Sequence, residues 1–437
     1  MSQPPPPPPY AASSAQQQQG LSTSPSSHHP PHNPHHHPQG LSLPPAPPVN
    51  DMMDDMRLFL RTITAFRNYD VQARTSLIVR EQNFKRLPAR HQQLLAAANV
   101  SLNEIFSNYH NGVTCNQQFL TAMCDAGAEL FEGYWPDVDP STIPQDEPSP
   151  MDVDKVFSTL RQFMRDWSAE GAQERSVAYG PILHALTTSL FPNRATRNAV
   201  RVLVPGAGLC RLSVELALLG FTCQANEFSY HMLIAGHYAQ NHLSEQHQHR
   251  LYPYVDNTCN MFHRADQFFP VDVPDVCVMD AVDELNANGM HFGDLSMVAG
   301  DFTEVYRKPE HRGAWNVVAS SFFLDTAHNI LEYLEVIMGA LAPGGYLVNV
   351  GPLLYHFADS LSSALSPETP GSASVDGVQS IELSLDELLG AAKALGYIIH
   401  TPPQILETSY TGNNRSMKQM MYRVAFFVLQ KPYDETR

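Results

Sequence analysis

The 437-residue chain carries a formal net charge of −17, with 44 Asp and Glu against 27 Lys and Arg. Such an acidic chain lacks the clustered basic side chains that bind nucleic acid or an anionic membrane surface. It also contains no apolar run of about 18 residues, the length that a membrane-spanning helix needs. We therefore expect a cytoplasmic protein, with a nuclear location also open, that binds neither nucleic acid nor membranes.

The amino-terminal third is predicted to contain two regions of different composition. Residues 1–50 have no Asp, Glu, Lys or Arg and are rich in Pro, Gln, Ser and His, which predicts a disordered tail. Residues 51–150 show apolar residues at helical spacing and an S-x-x-E capping box at Ser101 and Glu104, which predicts a helical cap region. The six cysteines are scattered, so we expect reduced thiols and no metal site.

Residues 151–437 are predicted to form one α/β domain. A helix over 152–167 places Gln162 and Arg165 three residues apart on one face, and a second helix is predicted over 173–190. Further on, strands alternate with helices, which predicts a doubly wound sheet. Two strands near the carboxyl terminus have no helix between them, which predicts an antiparallel last strand. Residues 359–379, rich in Ser, Pro and Gly, are predicted to be a mobile insertion.

The stretch 201–227 has the layout of a nucleotide-binding βαβ unit. It reads RVLVPGAGLCRLSVELALLGFTCQANE: an apolar strand, a turn with Gly206 and Gly208, an amphipathic helix, a second strand and an acid, Glu227. Glycines let the backbone approach a ligand closely, and the helix start offers free N–H groups. The carboxylate of Glu227 is placed to accept hydrogen bonds from ribose hydroxyls.

The glycine spacing bears on which nucleotide binds. Dinucleotide sites prefer G-x-G-x-x-G, whereas Arg211 stands where the third glycine would fall. S-adenosylmethionine has no pyrophosphate, so this departure disfavours NAD and leaves the methyl donor compatible. Downstream, Asp301 and Phe302 follow a buried strand, where a carboxylate could accept from an adenine amine and a ring could pack on the base. A βαβ turn that binds no ligand stays open as an alternative.

Several longer motifs together resemble the carnosine N-methyltransferase family. They are VPGAGLCRLSVELALLGFTCQANEFSYHML, AGDF, FFLDTAHNI, LAPGGYLVNVGPLLYHF and SYTGNNRSMKQMMYRVAFFV, spread over roughly residues 56–432. The resemblance implies a Rossmann-like class I methyltransferase fold, with a seven-stranded sheet whose last strand is antiparallel, preceded by the helical amino-terminal region. It also implies an enzyme that transfers methyl from S-adenosylmethionine to the imidazole of a histidine-containing dipeptide such as carnosine, yielding an anserine-type product and S-adenosylhomocysteine.

The resemblance also implies roles for individual residues. For the methyl donor, Gln162 and Arg165 would reach its amino-acid part, Gly206 would lie under that part, and Glu227 would bind the ribose. Asp301 and Phe302 would hold the adenine; Ser321 stands where the family often has cysteine, so its backbone contact is expected and its side-chain role is open. For the imidazole-bearing substrate, the implied residues are Asp325, His356 and Tyr410.

Elementary chemistry assigns Asp325 the central role among the substrate residues. An imidazole attacks through its unprotonated nitrogen, and much of a histidine side chain is neutral at pH 7. A carboxylate on the far ring N–H would select the tautomer and stabilise the growing positive charge. Asp325 as a helix N-cap is the structural alternative. Methylation of histidine within a protein, a non-catalytic adaptor and, last, a nicotinamide oxidoreductase remain the rival functions, and the helical region is a candidate homodimer contact.

Overall fold

A computed structural model describes residues 49–132, 134–135, 138–144, 146–358 and 380–433. The predicted tail, apart from residues 49 and 50, and the predicted 359–379 insertion lie outside the described residues. The first helix already begins at Val49.

Four helices form the amino-terminal region: α1 (Val49–Arg67), α2 (Tyr69–Lys85), α3 (Ala89–Ala97) and α4 (Leu102–Leu130). The Ser101 hydroxyl accepts a hydrogen bond from the Glu104 N–H at the start of α4, which is one of the two bonds of the predicted capping box. The Asp55 carboxylate on α1 accepts from the Tyr230 hydroxyl at 2.7 Å and from the Trp135 indole at 3.1 Å. The bond to Tyr230 holds α1 against the first residue of the helix Tyr230–Asn241, which begins three residues after Glu227. No helix in the described ranges is long and apolar enough to cross a membrane.

The helices that precede the sheet differ in part from their prediction. Helix α5 (Pro150–Trp167) begins with a reciprocal capping box between Ser149 and Asp152. The continuous helix predicted over 173–190 is instead three consecutive helical segments. These are α6 (Ala172–Ala178), α7 (Gly180–His184) and a π-helical turn (Ala185–Leu190). The break falls at Tyr179, immediately before Gly180 and Pro181, because proline lacks the N–H that a continuous helix would use.

A seven-stranded sheet forms the centre of the fold, in the order β5-β2-β1-β6-β7-β9-β8. Its strands are β1 (Arg201–Pro205), β2 (Thr222–Glu227), β5 (Leu295–Ala299), β6 (Trp315–Ser321), β7 (Leu341–Gly351), β8 (Ile398–Thr408) and β9 (Tyr422–Gln430). The first five run parallel, and β9 is antiparallel to both β7 and β8. This confirms the predicted class I methyltransferase fold with an antiparallel last strand.

Among the described residues, the further α-helices of the sheet domain are α8 (Arg211–Leu218), α9 (Tyr230–Asn241), α10 (Val278–Ala287), α11 (Phe302–Tyr306), α12 (Ile330–Ala340) and α13 (Leu385–Ala394). The region 244–292, whose sequence gives no clear pattern, contains α10 and a two-stranded hairpin. The hairpin pairs β3 (His249–Leu251) with β4 (Val271–Val273). Each of these strands has only three residues, too few for a two-residue alternation to stand out.

A buried histidine marks the contact between the amino-terminal helices and the sheet domain. His231 on α9 is 2% exposed, packs against the Phe66 ring of α1 at 5.1 Å, and its Nε2 has no hydrogen-bond partner among the described residues. Burial, together with nearby Lys155, lowers the pKa of His231 from 6.5 to about 4, against the opposing effect of Asp152.

We expect His231 to make this protein sensitive to acid. Between pH 6.5 and pH 4 the unfolded chain binds a proton at this ring and the folded chain does not, so stability falls as the pH drops through that window. A shift of this size corresponds to about 3 kcal/mol in the free energy of unfolding. Urea unfolding at pH 7.5 and pH 4.5 should show a smaller acid loss for His231→Phe than for the wild type. An exposed variant, His91→Gln, should keep the wild-type loss; an equal loss in all three proteins would contradict the assignment.

Candidate active site

A cavity of about 490 Å³ opens at the carboxyl ends of the parallel strands. Its volume lies in the range of about 300–1,000 Å³ that is typical of small-molecule sites. Nine of the ten residues predicted from the sequence line it: Gln162, Arg165, Gly206, Glu227, Asp301, Phe302, Ser321, His356 and Tyr410. Asp325 is not among the lining residues. The structure therefore gathers both predicted sets, for donor and for acceptor, around one cavity.

The turn after β1 forms the floor of this cavity. Gly206 and Gly208 have φ angles of +59° and +55°, a left-handed conformation that glycine adopts without a steric penalty. A Cβ atom on Gly206 would lie 2.6 Å from Cδ2 of Phe323, so a side chain is excluded there. The turn thus brings bare backbone to the cavity wall.

Glu227 faces the same turn from the end of β2. Its Oε2 accepts a hydrogen bond from the Gly208 N–H, and its Oε1 accepts from the N–H groups of Phe228 and Ser229, each at 3.0 Å. Burial raises the pKa of Glu227, and these three N–H groups oppose the rise. The carboxylate is therefore fixed in direction while still lining the cavity, as a group that receives two ribose hydroxyls must be.

The predicted adenine residues lie beside β5. The Asp301 Oδ1 accepts from the N–H groups of Thr303 and Glu304 and so caps α11, while Oδ2 accepts no hydrogen bond among the described residues. Asp301 is therefore a helix cap that also lines the cavity. Phe302 is 3% exposed and meets the rings of Phe323 and Tyr333, each at 5.2 Å between centroids.

Arg165 brings a buried positive charge to the cavity from α5. It is 5% exposed, and its Nη1 donates to the Asp166 carboxylate at 2.8 Å and to the Tyr179 hydroxyl at 2.7 Å. The guanidinium carbon also lies 5.0 Å from the centroid of the Tyr179 ring and 4.9 Å from that of Tyr410. Held between two rings, the guanidinium has one orientation, which suits it to a carboxylate ligand such as that of a bound amino acid.

Tyr410 connects the donor side of the cavity to the acceptor side. Its hydroxyl accepts a hydrogen bond from the Gln162 side-chain amide at 2.7 Å. Burial raises the pKa of Tyr410, and Arg165 and Gln162 oppose the rise. Its ring packs on Phe322 with centroids 4.8 Å apart. Gln162 is thus bonded to a predicted acceptor residue, although the resemblance implies a donor role for it.

Asp325 lies just behind the cavity wall and is 3% exposed. Its Oδ2 accepts from the Leu354 N–H at 3.0 Å, and its main-chain oxygen accepts from the His356 N–H at 3.1 Å. Burial raises the pKa of the Asp325 carboxyl, while the Leu354 N–H and His356 oppose the rise. The alternative role as cap of α12 is not realised, because Asn329 caps that helix. Asp325 instead anchors the segment that carries His356 into the cavity wall, and its carboxylate does not line the cavity in which it is predicted to meet the far ring N–H of the acceptor.

Phe322, Tyr179 and Tyr333 are among the residues that line the cavity without a role predicted from the sequence. Phe322 has φ +53°, a strained conformation for an aromatic residue; its ring packs on Tyr410, and its centroid lies 5.8 Å from the guanidinium carbon of Arg165. The side chain of Ser321 donates to the main-chain oxygen of Ala178 at 3.3 Å, so it contributes to the wall. Only the unusual Phe-Phe pair, and the Tyr before Gly180, offered a signal in the sequence.

Arg211, the departure from the dinucleotide pattern, has a structural role. Its Nη1 donates to the Asp275 carboxylate at 2.6 Å and to the main-chain oxygen of Asp166 at 2.9 Å. Arg175 donates to the other oxygen of Asp275 at 2.6 Å. These bonds hold the end of α5, with Arg165 on it, against the helix that follows the glycine turn.

The groups present fit S-adenosylmethionine: a glycine turn that a Cβ atom would block, a buried acid at the end of β2, and a buried guanidinium. With the strand order, they define a class I S-adenosylmethionine-dependent methyltransferase. A family model described as "Carnosine N-methyltransferase" matches residues 143–433. This chain belongs to the carnosine N-methyltransferase family.

The curated relatives agree with this assignment. Carnosine N-methyltransferase of Rattus norvegicus is 34% identical over 401 residues, covering 90% of this chain and 92% of the relative. That of Schizosaccharomyces pombe is 34% identical over 388 residues, covering 86% of this chain and 97% of the relative. "Carnosine N-methyltransferase unmet" of Drosophila melanogaster is 39% identical over 305 residues, covering 69% and 61%.

Proposed function

We propose that this chain transfers a methyl group from S-adenosylmethionine to an imidazole nitrogen of carnosine or a related histidine-containing dipeptide. One observation carries the proposal: a single cavity is lined by Gly206 and Glu227, which are predicted to bind the donor, and by His356 and Tyr410, which are predicted to bind the acceptor. The names of the relatives support carnosine as the acceptor.

The chemistry asks the protein chiefly for alignment. When bound, S-adenosylmethionine supplies a methyl group on a positively charged sulfur, so the difficult part of the chemistry belongs to the donor. A neutral imidazole is nucleophilic at pH 7 without a strong base. The side chains of this chain therefore have to orient the ring, exclude water and hold the proton of the far ring nitrogen. The rings of Tyr410 and Phe322 and the His356 segment border the space in which the ring would lie.

Asp325→Ala should lower kcat/KM for carnosine by about 100-fold while the Kd for S-adenosylmethionine changes less than about threefold. The loss of activity is expected because the Asp325 carboxylate holds the Leu354–His356 segment, and donor affinity is expected to persist because this carboxylate does not line the cavity. Radiolabelled methyl transfer and isothermal titration measure the two quantities. Asp386→Ala serves as a control, because that exposed carboxylate accepts from the Ser384 hydroxyl at the start of α13. Equal loss of donor affinity would contradict the acceptor role.

The function itself is tested by labelled methyl transfer from S-adenosylmethionine to carnosine, free histidine and a cell extract. We expect carnosine to be labelled, and mass spectrometry of the product to place the methyl on the imidazole. Label on a histidine of an extract protein alone would favour the protein-histidine alternative. Failure of isothermal titration to detect donor binding would favour the non-catalytic adaptor.

Two further proposals concern how the protein occurs in the cell. We infer a homodimer through α2 and α3, because Val71, Ile78, Val79 and Leu94 expose between 51% and 57% of their surface there. Light scattering of the full chain against Ile78→Asp tests the dimer, and an unchanged mass would contradict it. A cytoplasmic location, with a nuclear one also open, is tested by fluorescence microscopy of the tagged full chain.

A further inference from the structure

The tight turn that carries Tyr410 is bound by one buried carboxylate from α6. Oε1 of Glu174 accepts from the Thr411 N–H at 2.9 Å, and Oε2 accepts from the Ser409 hydroxyl at 2.8 Å. The Gly412 N–H lies 3.5 Å from the same Oε2. Glu174 is only 8% exposed, so water competes weakly for these bonds. A residue 237 positions away in sequence therefore fixes both sides of Tyr410.

A second buried side chain holds the same turn from the opposite direction. The Tyr254 hydroxyl donates to the main-chain oxygen of Thr411 at 3.1 Å, and Tyr254 is 4% exposed. Thr411 has φ +51°, which is costly for a β-branched residue. Such a conformation persists only where the surroundings impose it, and it is often found at functional sites. Here the Glu174 carboxylate accepts from the N–H of Thr411, and the Tyr254 hydroxyl donates to the carbonyl oxygen of the same residue.

Glu174 also borders the guanidinium that faces the donor. Its Oε1 lies 2.8 Å from Nε of Arg165, although the Nε–H does not point along that line and makes no hydrogen bond. The contact is thus an ion pair between buried groups and not a directed bond. The Arg165 guanidinium packs on the Tyr410 ring at 4.9 Å. The Glu174 carboxylate therefore contacts both the turn that carries Tyr410 and the guanidinium that packs on its ring.

We propose that Glu174 and Tyr254 are positioning residues for methyl transfer, which act by fixing Tyr410 through the turn 409–412. Neither residue lines the cavity of the active site, so neither touches the acceptor or the donor. Both control the distance and angle at which the Tyr410 ring and hydroxyl meet the acceptor. This proposal rests on the proposed function, since it is for the carnosine imidazole that Tyr410 has to be held.

The proposal predicts different effects for the two residues. Tyr254→Phe removes one hydroxyl from the turn and should lower kcat/KM for carnosine by about tenfold, with the Kd for S-adenosylmethionine within about twofold of the wild type. Glu174→Ala removes every bond that the carboxylate makes to the turn and should lower kcat/KM by about 100-fold. Glu174→Gln keeps an oxygen that can accept from the Thr411 N–H, so its activity should lie between the wild type and Glu174→Ala.

Hydrogen exchange of the full-length protein gives a readout that does not depend on turnover. The Thr411 and Gly412 amides should exchange about tenfold or more faster in Glu174→Ala than in the wild type, while the amides of β7 keep their rate. Glu387→Gln is the matched control. Its carboxylate accepts from the Ser384 N–H and hydroxyl at 2.9 and 2.8 Å, far along the chain at the start of α13, and we expect wild-type kinetics.

Two results would overturn the positioning role. One is unchanged exchange at 409–412 in Glu174→Ala, or in Glu174→Gln if the alanine variant does not fold. The other is a loss of donor affinity in Tyr254→Phe as large as its loss of kcat/KM. If the wild type binds S-adenosylmethionine but does not methylate carnosine, the proposed function fails instead, and the acceptor half of this proposal fails with it. Faster exchange at the turn in the Glu174 variants would then establish only that Glu174 holds it.

Discussion

Replacing Gly206 with alanine should weaken the binding of S-adenosylmethionine by at least about 100-fold, because two independent costs add. The φ angle of +59° is left-handed, which costs a residue with a side chain about 1–2 kcal/mol. The new methyl carbon would also lie 2.6 Å from Cδ2 of Phe323. Phe323 cannot retreat easily, since its ring stacks on Tyr333 at 4.7 Å and meets Phe302 edge-on at 5.2 Å. The turn or these three rings must move, and all of them line the cavity.

Isothermal titration with S-adenosylmethionine measures this effect, and Gly339→Ala is its matched control. Gly339 lies in α12, has an ordinary helical backbone, and a Cβ atom there meets nothing within 4 Å. Alanine is favoured over glycine in a helix by about 1 kcal/mol, so this variant should bind the donor normally and unfold at a slightly higher temperature. Wild-type donor affinity in Gly206→Ala would show that the turn does not underlie the donor.

The parts of the site that are predictable from sequence are those built from neighbours in the chain. The 27 residues 201–227 contain the whole pattern of strand, glycine turn, helix and acid, and Asp301 and Phe302 follow a strand. Local spacing is enough there because the turn itself places Glu227 against Gly208. The alternation of strands and helices likewise predicts the sheet and its antiparallel end, because a parallel crossover usually contains a helix and consecutive strands without one favour antiparallel pairing.

The parts that sequence reasoning does not reach are those made by distant partners. Arg211 is visible as a departure from a glycine pattern, but its partner Asp275 lies 64 residues further on. The same holds for Glu174, which binds a turn 235 or more residues away. The left-handed Phe322 is a conformation that packing imposes, and no local preference would predict it for an aromatic residue. The break at Tyr179 in the helix predicted over 173–190 is, by contrast, marked locally by Pro181. The bonds of the Tyr179 hydroxyl to Arg165 and Asp166 are the part that the sequence does not reveal.

Arg165→Ala is the other substitution with a large expected effect, on both stability and donor affinity. The guanidinium is 5% exposed and lies beside two buried carboxylates, those of Asp166 and Glu174. Removing it leaves those charges without their cation in a region that excludes water, which typically costs about 3–5 kcal/mol in the free energy of unfolding. The cavity would also lose the cation that we assign to the amino-acid part of the donor, so the Kd should rise by at least about 100-fold.

Arg165→Lys separates these two consequences. A lysine keeps the positive charge between Asp166 and Glu174, so part of the lost stability should return. It lacks the planar guanidinium, whose carbon lies 5.0 and 4.9 Å from the centroids of the Tyr179 and Tyr410 rings. It also lacks the pair of N–H groups with which arginine binds a carboxylate, so donor affinity should stay low. Urea unfolding and isothermal titration measure the two quantities. Arg250→Ala is the control. Arg250 is exposed and donates to the Asp272 carboxylate at 2.8 and 3.0 Å, and exposed pairs are screened by water, so the stability and the donor affinity of this variant should stay near those of the wild type. If Arg165→Lys bound the donor as tightly as the wild type, positive charge alone would account for the site, and the ring-held orientation of Arg165 would have no part in donor binding.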